Sequence, residues 1–221
     1  MAEEASPRVA VFDAYGTLFD VHAAVSRHAG AIGPDAAALS ETWRAKQLEY
    51  SWVFGLMQRP VPFWSLTERA LDHALATYPD VDRALRPALL DAYRDLDAYP
   101  EVPGTLRALR AAGWRTAILS NGDAAMLERA VASAGLADDL DAVLSVESAR
   151  TFKTAPAAYR IATTHFGVPP EAVLFGSSNR WDVAGAAAFG FRPVWVNRKG
   201  VSDEYPDFPP ERVVRSLDAL L

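Results

Sequence analysis

An aspartate follows the first apolar run of the chain and could act as a nucleophile. The run Arg8 to Phe12 has the composition of a short buried strand, and Gly16 allows the backbone to turn after it. Asp13 would therefore lie at the carboxyl end of a strand, where the catalytic groups of open α/β sheets gather. Taken alone, the pattern fits equally an aspartate that forms a turn or caps a helix.

Three residues that can bind an anion follow the second strand pattern. Ser120, Asn121 and Gly122 come directly after the apolar run at 116–119, so we expect them at the same sheet edge as Asp13. Their hydroxyl, amide and backbone N–H groups would stand at the start of a helix, a position that favours anions. Ser-Asn-Gly is also ordinary turn and capping material, and that alternative stays open.

Two charged residues follow later strand patterns. Lys153 comes after the run at 142–144, and Asp182 comes after the run at 173–175. A lone lysine in a loop is usually a solvated surface charge, and an aspartate at this place could simply favour a helix start. Because parallel strands end at a common edge, we expect both side chains to lie near Asp13.

Strand and helix patterns alternate through most of the chain and predict a parallel sheet with helices on both faces. Strands are expected at 8–12, 116–119, 142–144, 173–175 and 193–196, and helices at 103–112, 124–134, 156–166 and 181–189. The segment from Val21 to Tyr99 is expected to be helical, with helices at 34–57, 63–78 and 83–96, and 203–210 is expected to be a loop. The sequence thus predicts an α/β, doubly wound, Rossmann-like core (1–20 and 100–221) with an inserted helical cap (21–99).

Composition restricts the partners and the location. The 221 residues include 22 basic and 28 acidic side chains, and the net charge of −6 argues against nucleic-acid or anionic-membrane partners. The sequence has no cysteine, which fits a reducing cytoplasm. Met1 to Pro7 lack the regions of a secretory signal, and no apolar run reaches the length of a membrane span. We expect a cytoplasmic protein without membrane partners, and a homodimer through an apolar cap surface is an open alternative.

The motifs together resemble the L-2-haloacid dehalogenases of the haloacid dehalogenase superfamily. The resemblance covers nearly the whole chain and is carried by Phe12 to Asp20, Thr42 to Met57, Leu119 to Gly122 and Phe175 to Gly190. Phosphatases of the superfamily use a second aspartate as general acid where this chain has Tyr15, and a magnesium-binding carboxylate where it has Ser177. Hard divalent cations prefer carboxylate oxygens. The resemblance therefore implies a dehalogenase that needs no metal and no cofactor.

The resemblance also implies the roles of the site residues. Asp13 would attack C2 of a small 2-haloalkanoic acid, and water would hydrolyse the resulting ester with net inversion at C2. Departing halide ion would be held by Arg44, Asn121 and Trp181, and the substrate carboxylate by Ser120. Lys153 would compensate the charge of Asp13. The other catalytic residues implied are Thr17 and Tyr159, which would support the geometry, and Ser177, Asn179 and Asp182, which would hold water.

Substrate contacts are implied for residues of both the core and the cap. They are Ala14, Tyr15, Arg44, Gln47, Leu48, Phe63, Ser120, Asn121 and Trp181. On a helix, Arg44, Gln47 and Leu48 share a face, so Arg44 could reach from the cap toward the sheet edge. Without the resemblance, Arg44 would be interpreted as a surface arginine, and each apolar residue as core packing.

Two other functions stay open on the sequence alone. A phosphatase of the same superfamily would need the general acid and the magnesium site that this chain lacks. A binding or regulatory protein could keep the fold without turnover, because fold does not determine function. The set Asp13, Lys153 and Asp182 argues against this second alternative.

Overall fold

A computed structural model describes residues 8–221, and the expectation for Met1 to Pro7 lies outside the described residues. Six parallel strands form one sheet in the order β3-β2-β1-β4-β5-β6. The strands are β1 (Val9–Phe12), β2 (Arg115–Ser120), β3 (Ala142–Ser145), β4 (Val173–Ser177), β5 (Arg192–Val196) and β6 (Arg212–Val214). This is the α/β fold with a doubly wound parallel sheet that the sequence predicts.

The strand order explains where a site can form. β1 is buried along its whole length and pairs with β2 on one side and β4 on the other. The chain order reverses at β1, and the crevice beyond the carboxyl ends of strands at such a reversal is the usual binding position in open α/β sheets. The residue that follows β1 is Asp13.

The core helices alternate with the strands and flank the sheet. They are α6 (Val102–Ala111), α7 (Ala124–Ser133), α8 (Pro156–Phe166) and α9 (Arg180–Phe189), each within two residues of its predicted bounds. The segment 203–210 is a loop, as predicted. Within residues 8–221, no helix is both long enough and apolar enough to cross a bilayer.

Every helix between β1 and α6 belongs to the inserted segment. These are α1 (Ala23–Ser26), α2 (Ala29–Ile32), α3 (Ala36–Leu56), α4 (Phe63–Thr77) and α5 (Arg86–Arg94). Phe19 and Ala98 form an isolated bridge where the chain leaves and re-enters the core. The cap boundary at 21–99 stays a prediction.

Two local predictions differ from the structure. The helix expected at 83–96 begins as a 3₁₀ turn, Arg83–Leu85, because the Asp82 side chain accepts the Ala84 N–H, and its α-helical part ends at Arg94. The sequence prediction also missed β6. That strand is only three residues long, lies at the sheet edge and exposes two of its residues, so it has no apolar run to reveal it.

Candidate active site

Asp13 lies directly beyond β1 at the carboxyl edge of the sheet. Its backbone N–H donates to the carbonyl of Gly176 at 2.9 Å, which extends the pairing of β1 with β4. The following turn is tight, because the Ala14 carbonyl accepts three N–H groups and Gly16 has a φ of 91°. The turn buries Ala14 completely and leaves Asp13 only 5% exposed. The predicted position of Asp13 at a strand end is confirmed.

The two carboxylate oxygens of Asp13 have different surroundings. Oδ2 accepts hydrogen bonds from Asn179 Nδ2 at 2.7 Å and Thr17 Oγ1 at 3.0 Å, and Ser177 Oγ lies 3.5 Å away. Oδ1 is 3.2 Å from the Nζ of Lys153. A carboxylate only accepts hydrogen bonds, so a surrounding of donors matches it. Among the described residues Oδ1 has fewer partners and is the oxygen better placed to react.

Lys153 lies between two buried carboxylates. Its Nζ is 3.2 Å from Asp13 Oδ1 and 2.8 Å from Asp182 Oδ2, and the lysine side chain is 1% exposed. Burial acts to lower the pKa of Lys153, but the two carboxylates outweigh burial and raise it, so the side chain is a cation. The hydroxyl of Tyr159 donates to Asp182 Oδ1 at 2.8 Å. The four side chains form one buried network.

Asp182 is the member of this network whose pKa is shifted toward neutral pH. Burial raises the pKa of its carboxyl to about 6, and the charge of Asp13 acts in the same direction. The cation of Lys153 and the hydrogen bond from Tyr159 oppose that rise. Asp182 therefore changes charge closer to neutral pH than an ordinary aspartate, which titrates at about 4.

The turn after β2 is fixed by hydrogen bonds to its own and neighbouring residues. Ser120 Oγ accepts the N–H of Gly122 at 3.2 Å, and Ser145 Oγ donates to the Gly122 carbonyl at 2.7 Å. Asn121 Oδ1 accepts the backbone N–H of Lys153 at 2.9 Å, so its amide NH₂ points the other way. A Cβ at Gly122 would lie 2.8 Å from a ring carbon of Tyr15, so close packing requires glycine. The turn is thus held against the Asp13 loop.

Arg44 reaches from the cap to the loop that carries Asp13. Its Nη2 donates to the Tyr15 carbonyl at 3.0 Å, and its Nη1 donates to Gln47 Oε1 at 2.7 Å. The same carbonyl accepts Asn179 Nδ2 at 3.3 Å. Arg44 is therefore half-buried at the junction of cap and core, and the surface alternative is wrong. Gln47 is fully buried and accepts a hydrogen bond from Arg44. It is therefore placed to affect the site by orienting Arg44.

Aromatic side chains join the cap to the core at three places. The ring pairs are Tyr15 with Tyr93 at 5.7 Å, Phe63 with Phe152 at 5.9 Å, and Trp181 with Trp52 at 5.5 Å between centroids. Trp181 and Lys153 border a cavity of about 600 Å³. Leu48 borders a second cavity, of about 480 Å³, together with Arg44 and Asn179. The predicted apolar residues thus lie at the junction, with one ring of each pair on either side.

Sequence reasoning missed two residues that hold the segments around the site, Arg198 within the core and Asp123 between core and cap. Arg198 donates from Nη2 to the carbonyl of Thr17 at 2.9 Å and follows β5 by two residues, so the strand-end rule could have found it. Asp123 accepts the N–H groups of Phe63 and Trp64, both at 2.8 Å. It directly follows the Ser-Asn-Gly motif, but nothing in its spacing indicates a bond to a helix about 60 residues away in the chain.

No group of three or more His, Cys, Asp or Glu residues within 8–221 is arranged to hold a metal ion. The charge between the carboxylates of Asp13 and Asp182 is supplied by Lys153. Independence from metal stays a prediction that an assay with chelator tests.

Comparison with known proteins identifies the family. The family model for haloacid dehalogenase-like hydrolases matches residues 7–190. (S)-2-haloacid dehalogenase 1 of Pseudomonas sp. strain CBS-3 is 48% identical over 214 residues, which cover 96% of this chain and 94% of that protein. The chain belongs to the (S)-2-haloacid dehalogenases of the haloacid dehalogenase-like hydrolases.

Solved structures of (S)-2-haloacid dehalogenases and related dehalogenases share the cap as well as the core. A crystal structure of a dehalogenase is 46% identical, has a TM-score of 0.95, and covers 97% of this chain and 96% of its own. The L-2-haloacid dehalogenase of Xanthobacter autotrophicus with chloropropionic acid covalently bound is 37% identical with a TM-score of 0.86, and the match covers 97% of this chain and 96% of that one. In that relative, an organic acid forms a covalent complex with the protein.

Proposed function

We propose that the chain hydrolyses small (S)-2-haloalkanoic acids to (R)-2-hydroxy acids and halide. The observation that carries the proposal is the environment of Asp13, whose Oδ2 is bound by donors while Oδ1 faces Lys153. The residue two positions on, Tyr15, is no carboxylic acid, and burial raises its pKa well above the ordinary value. A halide departs as a stable anion and requires no proton, so the site suits that leaving group.

In the first step, Oδ1 of Asp13 attacks C2 on the face opposite the halogen. The ester C–O bond forms as the carbon–halogen bond breaks, and the bonding electron pair leaves with the halide, so C2 inverts. Arg44, Asn121 and Trp181 hold the departing ion, where donors aimed at developing charge lower the barrier. The bond from the Lys153 N–H to Asn121 Oδ1 supports this role, because it leaves the amide NH₂ as the group to donate.

Substrate binding uses polar groups for the carboxylate and rings for the carbon chain. Ser120 Oγ accepts the N–H of Gly122, so its own proton is available for the substrate carboxylate. Tyr15, Leu48, Phe63 and Trp181, which lie at the junction of cap and core, enclose the chain at C2. The anionic substrate would thereby be held with C2 toward Asp13.

In the second step, water adds to the ester carbonyl carbon of Asp13. Oδ2 becomes the oxyanion, and its donors Thr17, Ser177 and Asn179 are already in position. Ser177 and Asn179 thus act on Oδ2, and of the three residues expected to hold water only Asp182 keeps that role. Asp182 accepts a proton from the water and returns one to the departing product oxygen as the ester bond breaks. The products are the hydroxy acid and the Asp13 carboxylate, and one proton leaves to solvent.

This role for Asp182 predicts an acid limit to activity. As the pH falls through about 6, the carboxyl gains a proton, loses its ion pair with Lys153 and can no longer act as base in the second step, so kcat should decline. Tyr159→Phe removes a donor that lowers the pKa of Asp182, so the limit should move to higher pH. The measurement is kcat for halide release at saturating substrate across pH.

Tyr78→Phe is the matched control. The Tyr78 hydroxyl pairs with Thr42 within the cap and takes no part in the network of Asp182. Its pH profile should overlay that of the unmodified protein. A Tyr159→Phe profile with an unmoved or lowered limit would contradict the assignment.

Labelling with heavy-oxygen water tests the ester route directly. The oxygen delivered to product comes from the Asp13 side chain, and solvent oxygen enters Asp13 during hydrolysis. A single turnover with enzyme in excess should therefore label the peptide that contains Asp13 and leave the product hydroxyl unlabelled. Mass spectrometry measures both, and halide release should persist in excess chelator.

The alternatives give different results in the same experiment. Direct attack of water on C2 would label the product at once and never the protein. A phosphatase would release phosphate from phosphate esters, lose activity with chelator and release no halide. A binding protein would turn over neither kind of substrate.

We also propose a homodimer in which the apolar surface of the cap is buried. The proposal is supported by Val53, Leu56 and Met57 at the end of α3, which expose 44%, 85% and 52% of their surface. Sedimentation equilibrium gives the mass in solution and decides it. The cytoplasmic location stays a prediction that cell fractionation tests.

A further inference from the structure

A chain of hydrogen bonds, buried at Thr67 and Gln47, leads from the core through α4 to the guanidinium of Arg44. Asp123 accepts the N–H groups of Phe63 and Trp64, the first two residues of α4. Thr67, one turn later, donates from Oγ1 to the Phe63 carbonyl at 3.0 Å. At the start of α4, Asp123 of the core thus binds two N–H groups, and Thr67 of the helix itself binds a carbonyl.

Thr67 determines which way the amide of Gln47 points. Its hydroxyl proton is used for the Phe63 carbonyl, so Oγ1 presents lone pairs to Gln47, whose Nε2 lies 2.6 Å away. With NH₂ directed at Thr67, the Oε1 of Gln47 faces Arg44 and accepts Nη1 at 2.7 Å. The Tyr93 hydroxyl lies 3.1 Å from both amide atoms and can donate to one or accept from the other. Tyr93 therefore tolerates either orientation, whereas Thr67 and Arg44 require the same one, and Thr67 holds the amide from the side opposite Arg44.

We infer that Thr67 is a positioning residue that orients Arg44 through the amide of Gln47. Without the Thr67 hydroxyl, Nε2 of Gln47 loses its acceptor at 2.6 Å and keeps only the Tyr93 hydroxyl at 3.1 Å. The amide is then held less firmly, its Oε1 shifts relative to Nη1 of Arg44, and Arg44 no longer keeps its direction toward the Tyr15 carbonyl. The inference rests on the proposed role of Arg44 in holding the halide.

The test is Thr67→Val, which keeps the branched shape and removes the hydroxyl. We expect kcat/KM for (S)-2-chloropropionate to fall about 10-fold, since misorientation of a stabilising group costs up to about 10²-fold. The loss should be smaller for (S)-2-bromopropionate, because bromide departs more readily and depends less on stabilisation. The heavy-oxygen hydrolysis of the Asp13 ester should proceed at the unmodified rate, because that step does not use Arg44.

The chain offers a matched control on the same helix. Thr77 makes the same bond to the carbonyl four residues back, from Oγ1 to His73 at 2.9 Å, but it is exposed at the end of α4. Thr77→Val should leave both substrates unaffected. Thr67→Ser keeps the hydroxyl and should have most of the rate that Thr67→Val loses. If the valine variant does not fold, Thr67→Ala removes the hydroxyl and leaves a smaller side chain.

Two outcomes would overturn the inference. One is a Thr67→Val enzyme as active as the Thr77→Val control; the other is an equal loss for chloride and bromide, which indicates a general effect on folding. A crystal structure of Thr67→Val gives a readout independent of activity: Arg44 should no longer span Gln47 and Tyr15, and an unchanged Arg44 would contradict the inference. Absence of halide release from the unmodified protein would refute the proposed function instead.

Discussion

Asp13→Asn should abolish halide release and leave a folded protein. An amide is nearly isosteric with a carboxylate but is a poor nucleophile, so kcat should fall at least about 10⁴-fold, toward the loss seen on removing a nucleophile. The described partners of the Asp13 carboxylate are donors, so the new NH₂ must face another donor, and Lys153 loses one of its two counter-charges. The free energy of unfolding should fall by about 1–3 kcal/mol.

Halide release and circular dichroism measure the two effects. The matched control is Asp82→Asn, since Asp82 caps a 3₁₀ turn of the cap and lies outside the buried network. It should retain full activity. Mass spectrometry must establish that residue 13 remains asparagine, and a verified Asp13→Asn protein that releases halide near the unmodified rate would refute the nucleophile assignment.

The residues that sequence reasoning placed correctly share one physical cause. Asp13, Ser120, Lys153 and Ser177 end or closely follow strands or the turns after them, and in a parallel sheet all such ends meet at one edge. A pattern of apolar runs is therefore enough to bring together side chains as distant in the chain as Asp13 and Lys153, 140 positions apart. The prediction depends little on the order of the strands, because the carboxyl ends of all parallel strands lie at the same edge of the sheet.

Contacts between cap and core follow no such rule. The bond from Asp123 to α4, the stacking of Tyr15 on Tyr93 and the reach of Arg44 to the Tyr15 carbonyl all depend on how the helical insertion docks. Periodicity places Arg44 and Gln47 on one face of α3 but does not reveal what that face meets. The resemblance to a known family, rather than spacing, indicated Arg44.

Charge balance explains why the cap must supply a cation. The buried network contains the carboxylates of Asp13 and Asp182 and the ammonium of Lys153, so with both acids ionised it has one uncompensated negative charge. Burial raises the pKa of Asp182, and the neighbouring charge of Asp13 adds to that rise. An anionic substrate adds a further negative charge, and the guanidinium of Arg44 is held 3.0 Å from the carbonyl of the Asp13 loop. Arg44 can therefore offset substrate and halide charge together.

Arg44→Lys should slow the first step by two to three powers of ten, about 3–4 kcal/mol, the scale for removing one preorganised donor. The charge is kept, but the planar fork is lost. Arg44 uses two donors at once, Nη1 to Gln47 and Nη2 to the Tyr15 carbonyl, and still has others for the halide. A lysine ammonium is a single point that cannot span both acceptors and also reach the departing ion. Single-turnover halide release measures the effect.

Arg86→Lys is the matched control, because it also replaces a guanidinium that donates two hydrogen bonds by an ammonium. Arg86 binds Asp72 through Nε and Nη2 on the cap surface, and exposed pairs of this kind contribute about 0–1 kcal/mol. Its single-turnover rate should equal that of the unmodified protein. The Arg44→Lys defect should be larger with chloride than with bromide as leaving group, because the poorer leaving group depends more on stabilisation. An unchanged single-turnover rate in the Arg44→Lys protein would show that Arg44 does not bind the halide. Its role would then be limited to the hydrogen bond that joins cap and core.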